Sequence, residues 1–146
     1  MRLALRLSAG LAVIATIASV QARSLELTTF ADLRAAFDAG NPVFVMADLA
    51  ECAPKLTPLL HGAHGGQQVS SYRTTPEGLL EFSGTFPTLS DDGHPLEQVI
   101  RYHVMPEGEV QLLSALFDRP SMHPRGPTRR FRCALGQGFH AHIDPR

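Results

Sequence analysis

Four histidines are spaced so that they can bind a metal ion. His140 and His142 are alternate residues of a strand-like segment, and alternate strand residues project from one face, so both imidazoles can reach one ion. His61 and His64 can add nitrogen ligands of the kind that copper and zinc accept. In the simpler interpretation, His140 and His142 are the polar side of an edge strand, and the other two are solvated. Copper or zinc binding is therefore kept as the alternative function, and no cofactor is predicted.

The two cysteines, Cys52 and Cys133, are the next candidates for chemistry. In an oxidising compartment an even pair most economically forms a disulfide. The bond would close a long loop and stabilise the fold by on the order of 4 kcal/mol. Two buried free thiols are one alternative, and a catalytic thiol is another, although neither cysteine has a catalytic signature around it. We predict the disulfide.

Signatures of the common enzyme classes are missing from the sequence. It contains no Gly-x-Ser-x-Gly, no His-Glu-x-x-His, no phosphate-binding loop and no dinucleotide fingerprint. Glu77 and Glu107 lie in turn segments, where carboxylates are usually solvated. We predict no catalytic residue and a non-enzymatic protein, with a hydrolase assembled from distant residues as the residual alternative.

A basic group near the C-terminus comprises Arg125, Arg129, Arg130 and Arg132. These side chains can bind a polyanion or an anionic headgroup. Strand alternation already explains two of them as an outward face, and no aromatic platform accompanies them. The formal net charge of −1 gives no further reason to expect a nucleic acid partner, and none is predicted.

The first 22 residues have the order of a secretory signal peptide. Arg2 and Arg6 precede an apolar run at 11–18, and small residues lead to Ala22. The run is shorter than the roughly 20 residues that span a bilayer, so we predict no stable membrane insertion after its removal. Residues 23–146 are predicted to form one domain in the periplasm or outside the cell.

A helix and a strand are predicted at the start of this domain. Thr29 can cap a helix that continues to Gly40, where glycine tolerates the left-handed conformation. Residues 43–47 are β-branched and aromatic, which indicates a buried strand. Residues 53–68 hold two prolines, three glycines and no clear period, and are predicted to be a mobile loop.

Three glycine turns divide residues 69–117 into segments that alternate polar and apolar residues. The turns are Pro76-Glu-Gly78, Asp91-Asp-Gly93 and Pro106-Glu-Gly108. Alternation with one apolar face is typical of a half-buried antiparallel sheet. The pattern predicts a four-strand meander with both Pro-Glu-Gly turns at the same end. Residues 130–143 alternate in the same way around Gly136 and Gly138 and are predicted to form a closing hairpin.

The predicted fold class is α+β and mostly β: one N-terminal helix, an antiparallel meander that can curl into a half-open barrel, and one disulfide. A curled sheet has room for a ligand on its concave face. We therefore predict that the protein binds a small molecule or a protein partner there, next to the 53–68 loop. The predicted contact residues are Phe82, Phe86, Ile100, Tyr102, His61 and His64.

The chain resembles the VirK family of small exported proteobacterial proteins over residues 27–143. The shared pattern is a helix and strand followed by Asp48-Leu49-x-x-Cys52, and a tyrosine before a Pro-x-Gly turn. It continues with Leu80-x-Phe82-Ser83, Asp92-Gly-x-Pro95-Leu96, Ile100-Arg101-Tyr102, Gly108, Cys133 and Gly136-x-Gly138. The resemblance implies a periplasmic or extracellular location, association with virulence regulons in some bacteria, and no established molecular activity.

Overall fold

One helix and ten β-strands make up the part of the chain that the computed structural model describes, residues 24–54 and 64–144. The helix is α1 (Phe30–Asp38). The strands are β1 (Leu25–Glu26), β2 (Val43–Asp48), β3 (His64–Gln68), β4 (Tyr72–Thr74), β5 (Leu80–Leu89), β6 (Pro95–Val104), β7 (Glu109–Asp118), β8 (His123–Pro124), β9 (Arg129–Leu135) and β10 (Gly138–Ile143). The predicted signal peptide and His61 lie outside the described residues.

Helix α1 begins and ends where its capping residues predict. The hydroxyl of Thr29 accepts a hydrogen bond from the backbone N–H of Asp32, at 3.1 Å, which satisfies one of the free N–H groups of the first turn. Gly40 follows the helix with a φ of 70°, a conformation that costs glycine little. Leu33 and Phe37 are buried against the sheet, so α1 covers part of its concave face.

The described strands form one sheet that curls into a half-open barrel. Their order is β3-β2-β10-β9-β7-β6-β5-β4, with β1 paired to β10 and β8 paired to β7. Curling brings β3 over β5, where the side-chain amide of Gln67 occupies the space that a Cβ atom at Gly84 would need. The predicted fold class, mostly β with one helix and a half-open barrel, is confirmed.

The meander of β4 to β7 has the predicted turns. Gly78, Gly93 and Gly108 have φ values of 85°, 84° and 91°, which L-residues with side chains rarely adopt. Leu80 at the start of β5 lies opposite Val104 at the end of β6. The two Pro-Glu-Gly turns therefore emerge at the same end of the sheet, as predicted, and the Asp91-Asp-Gly93 turn emerges at the other.

Side chains on the concave face are arranged in rows that cross the strands. One row consists of Tyr72, Phe82, Tyr102, Leu112 and Phe131. Phe37 of α1 stacks on Tyr72, with ring centroids 4.5 Å apart, and Phe139 of β10 lies 5.7 Å from Tyr102. The helix and β10 thus fill this row, and also the neighbouring row of Leu80, Val104, Val110 and Cys133.

A disulfide joins Cys52, which follows β2, to Cys133 in β9. Both residues are buried, and their Cα atoms are 4.5 Å apart. Ala53 pairs with Arg132 through two backbone hydrogen bonds of 2.7 Å, so the bond lies beside a short additional bridge. The predicted disulfide is confirmed, and it fastens the β2 region to the end of the chain.

The prediction of a loop over residues 53–68 is wrong for residues 64–68. These residues form β3, which pairs antiparallel with β2 through five residue pairs. Glycine and glutamine have low strand propensity, but the backbone of β2 supplies hydrogen bonds that override it. Residues 55–63 lie outside the described part of the chain.

The prediction of a closing hairpin is also wrong. Strands β9 and β10 are paired in parallel at only two positions, whereas β10 pairs antiparallel with β2 at five. The turn contains Gly136 and Gly138, whose φ values are 84° and 75°. It does not reverse the direction of the chain, so β10 runs parallel to β9. Strand β10 therefore satisfies most of its backbone groups by pairing with β2.

Candidate functional site

The four meander residues predicted to contact a ligand fall into two groups. Phe82 and Tyr102 are 4% and 2% exposed and pack among the aromatic rings of the core. Both side chains therefore belong to the core beneath α1 and β10, and their contact with a ligand stays a prediction. Phe86 and Ile100 are half-buried and lie nearer the Asp91-Asp-Gly93 turn. Among the described residues, this end of the concave face is less buried than the end that α1 and β10 cover.

The open end holds a groove of about 430 Å³. We call it the open groove; it is lined by Gln98, Ser114, Leu116, Arg125, Gly126, Pro127 and Arg129. Phe86 of β5 lies directly opposite Gln98 of β6, and Ile100 of β6 lies directly opposite Ser114 of β7. Each of these apolar residues therefore shares a cross-strand row with a residue that lines the groove. The groove therefore combines a polar centre with apolar surroundings.

Strands β6, β7 and β9 position the polar groups of the groove. Gln98 and Ser114 project from the concave face of adjacent strands, and the Gln98 Nε2 donates a hydrogen bond of 2.9 Å to the Ser114 Oγ. Arg129 lies directly opposite Ser114. Three hydrogen-bonding side chains from three strands thus meet at one position of the sheet.

The two arginines of the groove differ in their electrostatic surroundings. The Arg125 Nη1 lies 3.3 Å from a carboxylate oxygen of Asp118 and is paired. All 14 acidic side chains of the chain lie in its described part, and none of them forms an ion pair with Arg129. Arg129 therefore supplies an uncompensated positive charge to the groove.

Gln67 of β3 borders the same region. Its amide rests on Gly84, which is in the cross-strand row of Ile100 and Ser114. The Gln67 Nε2 is buried and has no hydrogen-bond partner among the described residues. A buried donor without a partner costs about 1–3 kcal/mol, so this row contains an amide that is not fully satisfied by the protein.

Of the predicted metal ligands, the three in the described part of the chain, His64, His140 and His142, are not gathered around one point. The His140 Nδ1 lies 3.0 Å from the Glu26 Oε1, while the ring of His142 stacks on Phe44 at 5.5 Å. Within residues 24–54 and 64–144, no three histidine, cysteine, aspartate or glutamate side chains are close enough to share a metal ion. His64 is exposed in β3, opposite Asp48. Metal binding through His140 and His142 stays a prediction.

The polar residues at the centre of the open groove, Gln98 and Ser114, were not predicted from the sequence. Gln98 and Ser114 interrupt apolar positions of β6 and β7, between Leu96 and Ile100 and between Leu112 and Leu116. A polar residue on the apolar face of a strand is the signal that could have identified both. Arg125 and Arg129 were predicted only as members of a basic group, because the position of Arg129 opposite Ser114 depends on the register of β9 against β7.

Tyr102 is expected to titrate far above an exposed tyrosine. Burial raises its pKa to about 12, compared with about 10 for a free phenol. The neutral phenol therefore stabilises the fold fully below about pH 10, and this contribution is lost as the pH rises through about 12. The chain has two tyrosines and no tryptophan, so tyrosinate absorbance reports both groups directly.

We expect the folded protein to show a late tyrosinate step that is absent from Tyr102→Phe and moves to about pH 10 in urea. Tyr72 is the internal comparison. Its pKa is also raised, by partial desolvation and by the hydrogen bond that its hydroxyl donates to Asp38. If Tyr102 titrated near pH 10 before unfolding, its burial in the core would be contradicted.

Comparison with known proteins places the chain in a family. Residues 26–122 match the family model described as VirK protein. The chain belongs to the VirK family. The match confirms the predicted resemblance to this family, which rests in part on the helix, on Cys52 and on the motifs of the meander. The matched residues include α1 and the strands β2 to β7.

Two related sequences align with most of the chain. It is 34% identical over 127 residues to the uncharacterized protein y4wH of Sinorhizobium fredii, an alignment that covers 86% of this chain and 87% of that one. It is 33% identical over 115 residues to an "Uncharacterized protein in pinF2 3'region" of Rhizobium radiobacter, covering 77% and 79% of the two chains. Neither relative carries an enzymatic name.

The fold is shared with a solved VirK structure. The crystal structure of lpg1832, a VirK family protein from Legionella pneumophila, superposes with a TM-score of 0.71 at 21% identity and covers 80% of this chain and 97% of the other. In the described part of this VirK protein, no helix has both the length and the apolar character needed to cross a bilayer.

Proposed function

We propose that this VirK protein is an exported binding protein, not an enzyme, and that the open groove is its binding site. The ligand is a small molecule with an anionic group beside an apolar body. One observation carries the proposal: Arg129, which forms no ion pair with a carboxylate of the described residues, lies opposite Ser114 in the less buried half of the concave face.

The groove lining matches each part of such a ligand. An arginine guanidinium binds carboxylate, sulfonate or phosphate oxygens through paired hydrogen bonds. Gln98 and Ser114 offer further hydrogen bonds, and Leu116 and Pro127 provide apolar contact. A volume of about 430 Å³ is within the range of small-molecule sites, about 300–1,000 Å³.

The residue types in the groove support binding rather than catalysis. Its lining contains no histidine, cysteine, aspartate or glutamate to act as a general base or acid. Ser114 accepts its hydrogen bond from an amide, which cannot take up its proton. An anionic group held there would be positioned and neutralised, and no bond would be activated.

Export is part of the proposal. It is supported by the order of charged, apolar and small residues over positions 1–22 and by the disulfide, because such bonds persist in oxidising compartments. Protein recovered from the periplasm or the medium should have the mass of a chain that begins at Arg23. A mass that retains residues 1–22 would contradict cleavage at this position.

Binding to the groove can be measured with an anionic apolar probe. We expect the fluorescent probe anilinonaphthalene sulfonate to bind the folded protein, and Arg129→Gln to weaken its affinity by about tenfold, since a hydrogen bond to a charged group contributes about 1.5–3 kcal/mol. Arg34→Gln is the control, because Arg34 is paired with Asp38 on α1 and does not line the groove. Its affinity should be unchanged.

A second variant distinguishes charge from shape. Ser114→Trp should fill the groove and abolish probe binding while the thermal melt stays cooperative. Equal affinity in the wild type, Arg129→Gln and Ser114→Trp would overturn the proposal and favour a protein partner on another surface. Mass and elemental analysis of the same native protein identifies any ligand that copurifies, and it also tests metal binding by His140 and His142.

A further inference from the structure

We propose that the convex face of the half-barrel docks on a membrane surface that bears anionic phosphate headgroups. The contact is made by three arginines that project outward from β6 and β9, which we call the outer arginine cluster: Arg101, Arg130 and Arg132. This surface is opposite the open groove, and the inference does not depend on the proposed ligand.

The register of the sheet brings these arginines together. Arg101 of β6 lies opposite Leu113 of β7, and Leu113 lies opposite Arg130 of β9. Adjacent strands are about 4.8 Å apart, so Arg101 and Arg130 start about 10 Å apart. Arg132 follows Arg130 by two residues on the same face, about 7 Å farther along. All three arginines are exposed.

The positive charge of the cluster is not neutralised within the protein. Four other arginines have carboxylate partners, in the pairs Arg34–Asp38, Arg73–Glu81, Arg119–Glu97 and Arg125–Asp118. No carboxylate pairs with a member of the outer arginine cluster, although all 14 acidic side chains lie in the described part of the chain. Three unpaired guanidinium groups therefore share one small area.

Acidic residues on the same face are already engaged. Glu81 binds Arg73, with its Oε2 2.6 Å from the Arg73 Nε, and its Oε1 lies 3.4 Å from the His103 Nε2. Glu109 accepts a hydrogen bond of 3.2 Å from the amide of Gln111. Glu81 is thus neutralised by Arg73, and the single negative charge of Glu109 is smaller than the three positive charges of the cluster, so the net charge of this surface is positive.

The arrangement favours a lipid surface over an acidic peptide. Peptides usually bind along a groove or add a strand to a sheet edge. Here the arginines stand on β6 and β9 with β7 between them, so they spread across the middle of a convex sheet. Such a face can meet many headgroups at once, and each guanidinium can bind phosphate oxygens in a bidentate manner.

Vesicle sedimentation tests the inference with the whole mature protein. We expect it to bind vesicles of phosphatidylglycerol and phosphatidylcholine but not vesicles of phosphatidylcholine alone, and to release them as the salt concentration rises. The triple variant Arg101→Gln, Arg130→Gln, Arg132→Gln should bind on the order of 100-fold more weakly, about fivefold for each arginine. Single variants should lose about fivefold each.

A control with the same loss of charge uses arginines that are already paired. The triple variant Arg34→Gln, Arg119→Gln, Arg125→Gln removes arginines that are each paired with a carboxylate. It should retain affinity to within about tenfold, a much smaller loss than that of the cluster variant. Circular dichroism melts establish that both triple variants fold. Equal losses in the two variants, or no sedimentation of the wild type with anionic vesicles, would overturn the inference. Binding to polyglutamate but not to vesicles would show that the partner is an acidic polypeptide.

Discussion

Replacing both cysteines by alanine is expected to lower the free energy of unfolding by about 4 kcal/mol. The disulfide joins residues 81 positions apart, so without it the unfolded chain gains the conformational freedom of a long open loop. The folded state keeps its backbone bridge between Ala53 and Arg132. Urea denaturation of the wild type and of Cys52→Ala, Cys133→Ala under the same conditions measures the difference.

Replacing each cysteine by alanine leaves a small void as well as removing the cross-link. Reduced wild-type protein is the control, because it lacks the cross-link but has no such void. Reduced wild type and double variant should unfold at similar urea concentrations, because both lack the cross-link. Thiol counting on the exported wild type should find no free thiol before reduction and two after denaturation and reduction. A loss of less than about 1 kcal/mol would mean that the bond contributes little to stability.

Phe139→Ala is expected to destabilise the fold by about 3–5 kcal/mol. The ring is fully buried and lies 6.4 Å from that of Phe82 and 5.7 Å from that of Tyr102. Phe139 belongs to β10, whereas its two partners belong to the meander. Its removal therefore leaves a cavity where the two parts of the curled sheet meet, which thermal or urea denaturation detects.

Phe44→Ala is the matched control for this substitution. Phe44 is half-buried on β2, the strand next to β10, and its ring stacks on the exposed side of the sheet against His142. We expect a loss of only about 1 kcal/mol. Comparable losses for the two variants would contradict the view that the aromatic cluster holds the barrel together.

The meander and the helix could be predicted from the sequence because their signals are local. Thr29 and Gly40 mark the two ends of α1, and each glycine turn sits between segments of regular alternation. Such signals depend on backbone preferences of a few consecutive residues, which tertiary contacts leave unchanged here. The same alternation predicted the apolar face, on which Leu80, Phe82, Tyr102 and Val104 are all buried.

The strands at the other end of the sheet depend on distant partners. Residues 64–68 have little strand propensity and become β3 only because β2 presents an unpaired edge. Polar and apolar residues alternate along β10 as they would in a hairpin strand. Its pairing with β2 is nevertheless decided by the turn at Gly136 and Gly138. Alternation predicts that a segment is a strand and does not identify the neighbour it pairs with.

By itself, the sequence determined one helix, a meander with its turns, the pairing of the only two cysteines and membership of the VirK family. Only the tertiary structure decided which part of the concave face is free. Burial of Phe82 and Tyr102 depends on α1 and Phe139, which reach them through the curl of the sheet. Strand alternation alone puts Arg129 on the face opposite to Arg130 and Arg132, but only the register of β9 against β7 places Arg129 opposite Ser114.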